Sequence, residues 1–353
     1  MTVADVDPLA LPRRCDAALV AYFDRQRARW PDGTPQGLLD AVRRFVLAGG
    51  KRLRPMFCYW GWRGAGRPDG PGIVAAAAAL ELFHAFALIH DDIMDGSERR
   101  RGRPSMHRHF ADVYAARAWR GDPARYGQSA ALLSGDLCAA WADQMFHESG
   151  LPPERLHYGY RVFASMRTEA IAGQYLDLVS GVGDGTVTGA LTLIRLKAAR
   201  YTVTRPLQVG AALAGAGPDL MAALMEFGDP LGDAFQIRDD MLGVFGDPAV
   251  TGKPILDDLR DGKPTVMVVL AREMADRQQA ARLKELFGRP DLDDAGAAEI
   301  REVITATGAR QRIEEMISVR VTAALEALSV APIDEAARAS LHTLAGRVAD
   351  RQC

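Results

Sequence analysis

Cysteine is scarce in this chain of 353 residues: Cys15, Cys58, Cys138 and Cys353 stand far apart and match no metal-ligand spacing. That excludes a zinc ribbon or a disulfide scaffold, and the pattern reads as reduced thiols in a cytoplasmic protein. An excess of one charge is also lacking. Lys and Arg number 43 against 45 Asp and Glu, a formal net charge of −2, which gives no reason to expect nucleic acid or an anionic membrane as the main partner. No run of about 18 apolar residues is present. The best candidate, Ile73 to Ile89, is interrupted by Glu81 and His84, so no integral membrane segment is expected. The opening residues, Met1 to Asp7, are acidic and lack the basic-then-apolar pattern of a signal peptide. Strand-like runs such as Val266–Leu270 are too few to build a sheet. Gly64-Ala65-Gly66 follows no strand and lacks the third glycine of a dinucleotide fingerprint, and Gly252-Lys253 is followed by Pro254 rather than the Ser or Thr of a P-loop.

What is abundant is helix-forming sequence, 48% hydrophobic and 25% charged, rich in Ala, Leu and Arg. Periodicity and breakers predict helices over roughly 13–30, 36–47, 53–64, 73–95, 105–117, 126–149, 153–180, 187–215, 218–245, 264–287, 295–306, 308–328 and 333–350. No linker separates compositional blocks. The expectation is an all-α protein, a single domain over 1–353, with 1–12 flexible and helices closing the chain over 290–353.

Against that apolar background one segment stands out. Phe83-His84-Ala85-Phe86-Ala87-Leu88-Ile89-His90-Asp91-Asp92-Ile93-Met94-Asp95 ends an apolar helix in three carboxylates, with Gly96 next. Positions four apart share a helix face, so Asp91 and Asp95 point the same way, with Asp92 beside them. Like charges there repel, and a helix C-terminus is already negative. Such a site calls for a cation. Oxygen ligands without a nearby thiolate suggest Mg²⁺ shared with a phosphorylated substrate. An echo follows downstream: Asp239-Asp240 comes late in another apolar helical window, after Phe235-Gln236-Ile237-Arg238. Two such helices across a bundle would place carboxylates on opposite walls of a cavity.

The sequence also supplies cations. Gly49-Gly50-Lys51-Arg52-Leu53-Arg54-Pro55 is a basic turn opening a helix, Arg99-Arg100-Arg101-Gly102 follows the first acidic cluster, Lys197 lies mid-chain, and Gly252-Lys253 and Gly262-Lys263 follow the second. Arginine grips phosphate oxygens with a fork and lysine with a mobile point charge. Carboxylates, Mg²⁺ and these cations fit a diphosphate leaving group, and the apolar helix faces fit a hydrocarbon tail.

Together these motifs resemble the polyprenyl synthetase family, the trans-isoprenyl diphosphate synthases, over about Gly49 to Lys263. Asp91-Asp92-Ile93-Met94-Asp95 resembles the first aspartate-rich motif of that family and Asp239-Asp240-Met241-Leu242-Gly243 the second. The resemblance implies the isoprenoid synthase helical bundle around a central cavity. It implies that Asp91 and Asp95 bind two Mg²⁺ ions and Asp239 a third, with Asp92 and Asp240 completing the motifs. It implies that Lys51, Arg54, His84 and Arg101 hold isopentenyl diphosphate. Arg100, Lys197, Gln236, Lys253 and Lys263 would contact the allylic diphosphate or its metals, and Gln174 and Asp177 would line the cavity. A homodimer is implied as well. Two departures stand out: Gly243 replaces the usual last Asp of the second motif, which should weaken metal binding, and Ala198 replaces the frequent Thr after the mid-chain Lys, which removes one hydroxyl.

The implied reaction is ionisation of the allylic diphosphate, attack by the double bond of isopentenyl diphosphate, and proton loss. Chain length is read from the turn beneath Asp91. Phe86, five residues before it, is bulky, Ala87 is small, and Phe83 lies one turn further down. In relatives this arrangement resembles geranylgeranyl (C20) synthases, with farnesyl (C15) the second reading. A class I terpene cyclase would need a hydroxyl where Gly243 stands and does not need the second set of cations. A non-catalytic prenyl-diphosphate-binding subunit would commonly have lost the first acidic motif, which this chain keeps.

Overall fold

The computed structural model describes residues 10–180, 185–246 and 259–349. They are almost entirely helical: α1 (Ala10–Ala28), α2 (Gly37–Val46), α3 (Leu53–Gly64), α4 (Pro71–Met94), α5 (Met106–Ala116), α6 (Pro123–His147), α7 (Pro153–Ser180), α8 (Val187–Ile194), a π-helical segment (Arg195–Thr204), α9 (Arg205–Ala214), α10 (Pro218–Phe245), α11 (Val266–Met274), α12 (Arg277–Leu286), α13 (Asp294–Ala306), α14 (Ala309–Val330) and α15 (Glu335–Ala349). The all-α expectation holds. Among the described residues the only sheet is a two-residue hairpin, β1 (Arg99–Arg100) with β2 (Arg103–Pro104). Its loop residues Arg101 and Gly102 both have positive φ, 51° and 73°, as a tight hairpin turn with the strands' own twist requires.

The chain forms two compact units: residues up to 162 with 206–216 and 334–337, and residues 163–205 with 217–333 and 338 onward. Neither is a contiguous stretch. One crossing falls inside the helix α7, so no linker composition marks it.

In the first unit α4 packs on α6, α3 and α1, and α5 on α6. The alanine run Ala75–Ala79 gives α4 a slim flank, and Tyr22, Phe23 and Trp141 meet edge to face at 5.9–6.3 Å beside it. Glycines permit the closest approaches. A Cβ at Gly210 of α9 would lie 1.8 Å from the Cys58 carbonyl oxygen of α3. By length and hydropathy α4 could cross a membrane, which the interruptions at Glu81 and His84 did not suggest, but 67% of its apolar window is buried inside the protein. Cys15, Cys58 and Cys138 are free and buried, and burial pushes the Cys15 thiol up to about 12.

In the second unit, Ile237 and Met241 of α10 form a core with Val266 and Met267 of α11, Ile300 and Ile304 of α13, and Ile313 and Ile317 of α14.

Three expectations are corrected. Residues 10–12, expected to be flexible, belong to α1, because Leu11 starts the buried stripe continued by Cys15, Leu19 and Tyr22. The predicted 264–287 helix breaks at Ala275. There Asp276 caps α12 through the amides of Gln278 and Gln279 while the Gln279 side chain bonds back to the Asp276 amide, a capping box. Val266–Leu270, β-like in composition, is helical as the predicted 264–287 helix requires, started by the Thr265 side chain accepting from the Val268 amide. The predicted helix 187–215 holds ten residues of π-helix at its centre.

Candidate active site

The first acidic cluster is built by the end of α4. Asp95 is the C-cap, Gly96 takes the left-handed conformation at φ 64°, and the Ser97 amide donates to the Asp92 carbonyl (2.9 Å), a Schellman closure that fixes where the carboxylates stop. Asp91 and Asp95 are partly exposed, but Asp92 is fully buried. Its carboxylate receives the Arg100 guanidinium through Nε (2.9 Å) and Nη2, and Arg100 Nη2 also reaches Asp91 (3.5 Å). Burial pulls the Arg100 pKa down, and Asp92, Asp91 and Asp95 outweigh it, so the net direction is up. Arg100, expected to contact the allylic diphosphate, is therefore held by the acidic motif in this structure. Asp92, expected beside Asp91 and Asp95, is turned inward as its anchor.

A second set of cations gathers around His84. Arg101 donates to the Gly49 carbonyl and lies over Gly50, whose Cβ, had it one, would be 3.2 Å from the guanidinium. The positive φ of Gly49 (95°) and Gly50 (139°) makes that turn. Burial, then Arg54, Arg101, Arg100 and Arg52, hold His84 well below the usual imidazole value, so it is neutral at neutral pH. Burial also lowers Arg101, with Arg52, Arg100 and Arg54 adding to it and Glu81 opposing. His84, Arg54 and Arg101 thus share one electrostatic neighbourhood. Lys51 follows the same turn, exposed.

One anchor was missed. Arg52, left-handed at φ 50°, is buried. It donates to Glu81 (2.7 Å), Asp16 (2.8 Å) and the Val46 carbonyl (2.9 Å). It pins the basic turn to α4 and α1. The signal available was Glu81 itself, a carboxylate inside an apolar helix that needs a cation.

Beneath the cluster Phe86 packs on His90 at 4.7 Å and on Phe83 at 5.4 Å. Phe83 is fully buried, while Phe86 and Ala87 are partly exposed. Phe83 therefore supports Phe86 from the core. The His90 ring enters a notch at Gly135, where a Cβ would lie 2.2 Å from Nε2.

In the second unit Asp239 and Asp240 are partly exposed on α10. Gln236 Nε2 donates to Asp240 Oδ1 (2.8 Å) one turn away, and Arg238 makes a forked pair with Glu314 of α14 (2.7 Å twice). Lys197 lies in the π segment, 2.5 Å from Asp177 of α7. The segment's arginines are paired likewise: Arg195 with buried Asp233, Arg200 with Asp229 (2.8 Å), while Thr204 also donates to Asp229 (2.7 Å). Arg205, just after, forks onto Glu169. Glycines let the backbones close in, since a Cβ at Gly173 would lie 2.3 Å from the Lys197 amide nitrogen. Gln174 follows that glycine. π-helical turns concentrate at functional sites because they re-aim side chains. Lys263 follows Gly262 (φ 67°), whose Cβ would meet Gly288 at 2.9 Å. Lys253 lies outside the described residues.

Among the described residues no three His, Cys, Asp or Glu side chains converge closely enough to hold an ion by themselves. The donors at Asp91, Asp95 and Asp239 are hard carboxylate oxygens. They fit Mg²⁺, which takes one or two carboxylates and completes its shell with water and substrate phosphate.

The comparisons agree with this chemistry. The polyprenyl synthetase model matches residues 35–305. The geranylfarnesyl diphosphate synthase of Aeropyrum pernix is 33% identical over 90% of this chain and 95% of its own. The (2E,6E)-farnesyl diphosphate synthase of Mycobacterium bovis is 32% identical over 86% of this chain and 80% of its own. Among solved structures, geranylgeranyl pyrophosphate synthase from Corynebacterium glutamicum, complexed with isoprenyl diphosphate and magnesium, is 38% identical. It superposes with a TM-score of 0.93 over 98% of this chain and 100% of that one. The chain belongs to the polyprenyl synthetase family and is a trans-prenyltransferase with the helical fold of the isoprenoid synthases.

Proposed function

We propose that this enzyme condenses isopentenyl diphosphate with an allylic diphosphate to give geranylgeranyl diphosphate (C20), using Mg²⁺. The observation that carries the reading is the pairing, in one unit, of the helix-end carboxylates Asp91 and Asp95 with a cation group, Arg54, Arg101 and neutral His84, that has a net demand for anions. Lys51, Arg54, Arg101 and His84 grip the isopentenyl diphosphate. Arg100, Lys197, Gln236, Lys253 and Lys263 serve the allylic diphosphate, with Asp240 and Asp92 holding Gln236 and Arg100 in place. Asp91, Asp95 and Asp239 are the ligands for three Mg²⁺ ions, which when bound neutralise charge developing on the departing diphosphate. Lys197 and Arg100 would each supply positive charge to the allylic diphosphate, and the apolar helix faces would shield the allylic cation from water. The double bond of isopentenyl diphosphate attacks that cation, so one carbon–carbon bond forms after the allylic carbon–oxygen bond has broken, and the proton leaves to the released diphosphate. We further propose a homodimer in the cytoplasm.

Phe86 sets the chain length. The purified protein alone, given Mg²⁺ and both substrates, should make mainly C20 product, and Phe86→Ala should shift it to longer chains on product chromatography. An unchanged profile removes Phe86 from that role, and a C15 product replaces the C20 reading.

A further inference from the structure

A cavity of about 160 Å³ lies in the first unit, walled by α2, the Arg99–Pro104 hairpin and the start of α5. Its floor is apolar, with Phe45 and Met106, and Arg44, Arg100, Arg101, Arg103 and His109 complete the lining. Among the described residues no carboxylate lines it. The Arg44 guanidinium lies 2.9 Å from His109 Nε2. Arginine has no acceptor, so Nε2 accepts and the ring proton sits on Nδ1. Burial and Arg44 lower the His109 pKa, consistent with that neutral tautomer. Of the proposed substrate ligands, Lys51, Arg54 and His84 do not line this cavity, whereas Arg101 and Arg100, the latter held by Asp92, do.

An apolar floor beneath four arginines, one of them already paired with Asp92, selects an amphiphile with an anionic head. A cavity of about 150 Å³ accommodates benzene, so this one takes a short hydrocarbon and leaves the head at the open rim. We propose that it is a second binding site for a short-chain isoprenoid phosphate, filled by isopentenyl diphosphate itself when that substrate is in excess. Occupancy engages Arg101 and so weakens the productive grip on the same substrate. The choice of ligand rests on the prenyltransfer reading, but the site does not.

The test is calorimetric titration of the full-length protein in EDTA with isopentenyl diphosphate and, separately, inorganic diphosphate. A Lys51→Ala/Arg54→Ala variant should still bind isopentenyl diphosphate, and adding Arg44→Ala or Arg103→Ala should weaken that binding roughly tenfold or more. Isopentenyl diphosphate should bind several-fold tighter than inorganic diphosphate because its tail reaches the floor. In turnover, Arg44→Ala alone should lift inhibition by excess isopentenyl diphosphate without changing the uninhibited rate. Arg103, on the exposed hairpin, guards against a folding defect at Arg44. If both substitutions leave binding unchanged, the site is refuted and prenyl transfer stands. If inorganic diphosphate binds as tightly, the isoprenoid assignment is refuted. Binding that responds as expected in a protein that never elongates a prenyl chain would instead overturn the prenyltransfer reading.

Discussion

The two units treat their cations in opposite ways. Around His84 burial, with several arginines crowding one another, lowers the Arg101 pKa and keeps the histidine neutral, and of these arginines Arg52 and Arg100 are tied to buried carboxylates. Along the π segment every basic side chain has an acidic partner: Arg195 with Asp233, Lys197 with Asp177, Arg200 with Asp229. Under the proposed function the first arrangement receives an incoming diphosphate, and the second holds a lysine in place until a stronger anion arrives. Substrate capture and Lys197 positioning would then be separate tasks, and mutations should separate them.

The largest effect should come from the fixed part of the first region. Arg52→Ala leaves Glu81 buried without its cation, and breaking such a pair costs about 3–5 kcal/mol. Urea unfolding should show that loss, and a change under about 1 kcal/mol would mean Arg52 does not pin the turn. Next comes the close packing of the second region. Alanine for glycine inside a helix ordinarily stabilises by about 1 kcal/mol. At Gly173 the new methyl would meet the Lys197 backbone, so Gly173→Ala should destabilise by about 1–3 kcal/mol and slow turnover. Unaltered stability and rate would show that the π segment tolerates displacement.

The smallest effect sharpens the electrostatic side of the comparison. With His84 held below its ordinary value, the unfolded chain takes up a proton as pH falls below about 6.5 while the folded one resists. The unfolded state then binds more protons, so the stability His84 contributes is complete above that pH and drains away on acidification. Between pH 7.5 and 5.5 the wild-type protein should lose about 1 kcal/mol more than His84→Gln. Equal losses would show that burial and the neighbouring arginines do not hold His84 below its ordinary value.

Much of this was legible in the sequence. α3, α7 and α10 run as predicted, because breakers bound each of them: Gly50 and Gly66, Pro152 and Gly181, Gly217 and Gly246. Asp91 and Asp95 sit on the helix end that Gly96 announced. The π segment was not legible, because its partners Glu169, Asp177, Asp229 and Asp233 lie on other helices and its close approaches depend on glycines 24 or more residues away. Arg100 was assigned to substrate by its motif, and its engagement with Asp92 depends on a hairpin turn that pattern alone did not resolve. The Asp276 cap was readable as an Asp followed three residues later by Gln and was passed over in favour of a longer helix.

The central claim is that the carboxylates ending α4 hold the magnesium on which prenyl transfer depends. The direct measurement is elongation rate against Mg²⁺ concentration for the wild-type protein and Asp91→Ala/Asp95→Ala, with circular dichroism confirming equal helicity. The account predicts a fall of about a thousandfold or more in the variant, several kcal/mol of lost transition-state stabilisation, not recovered by added Mg²⁺. Elongation at the original rate in the variant, with the same dependence on Mg²⁺, would contradict it.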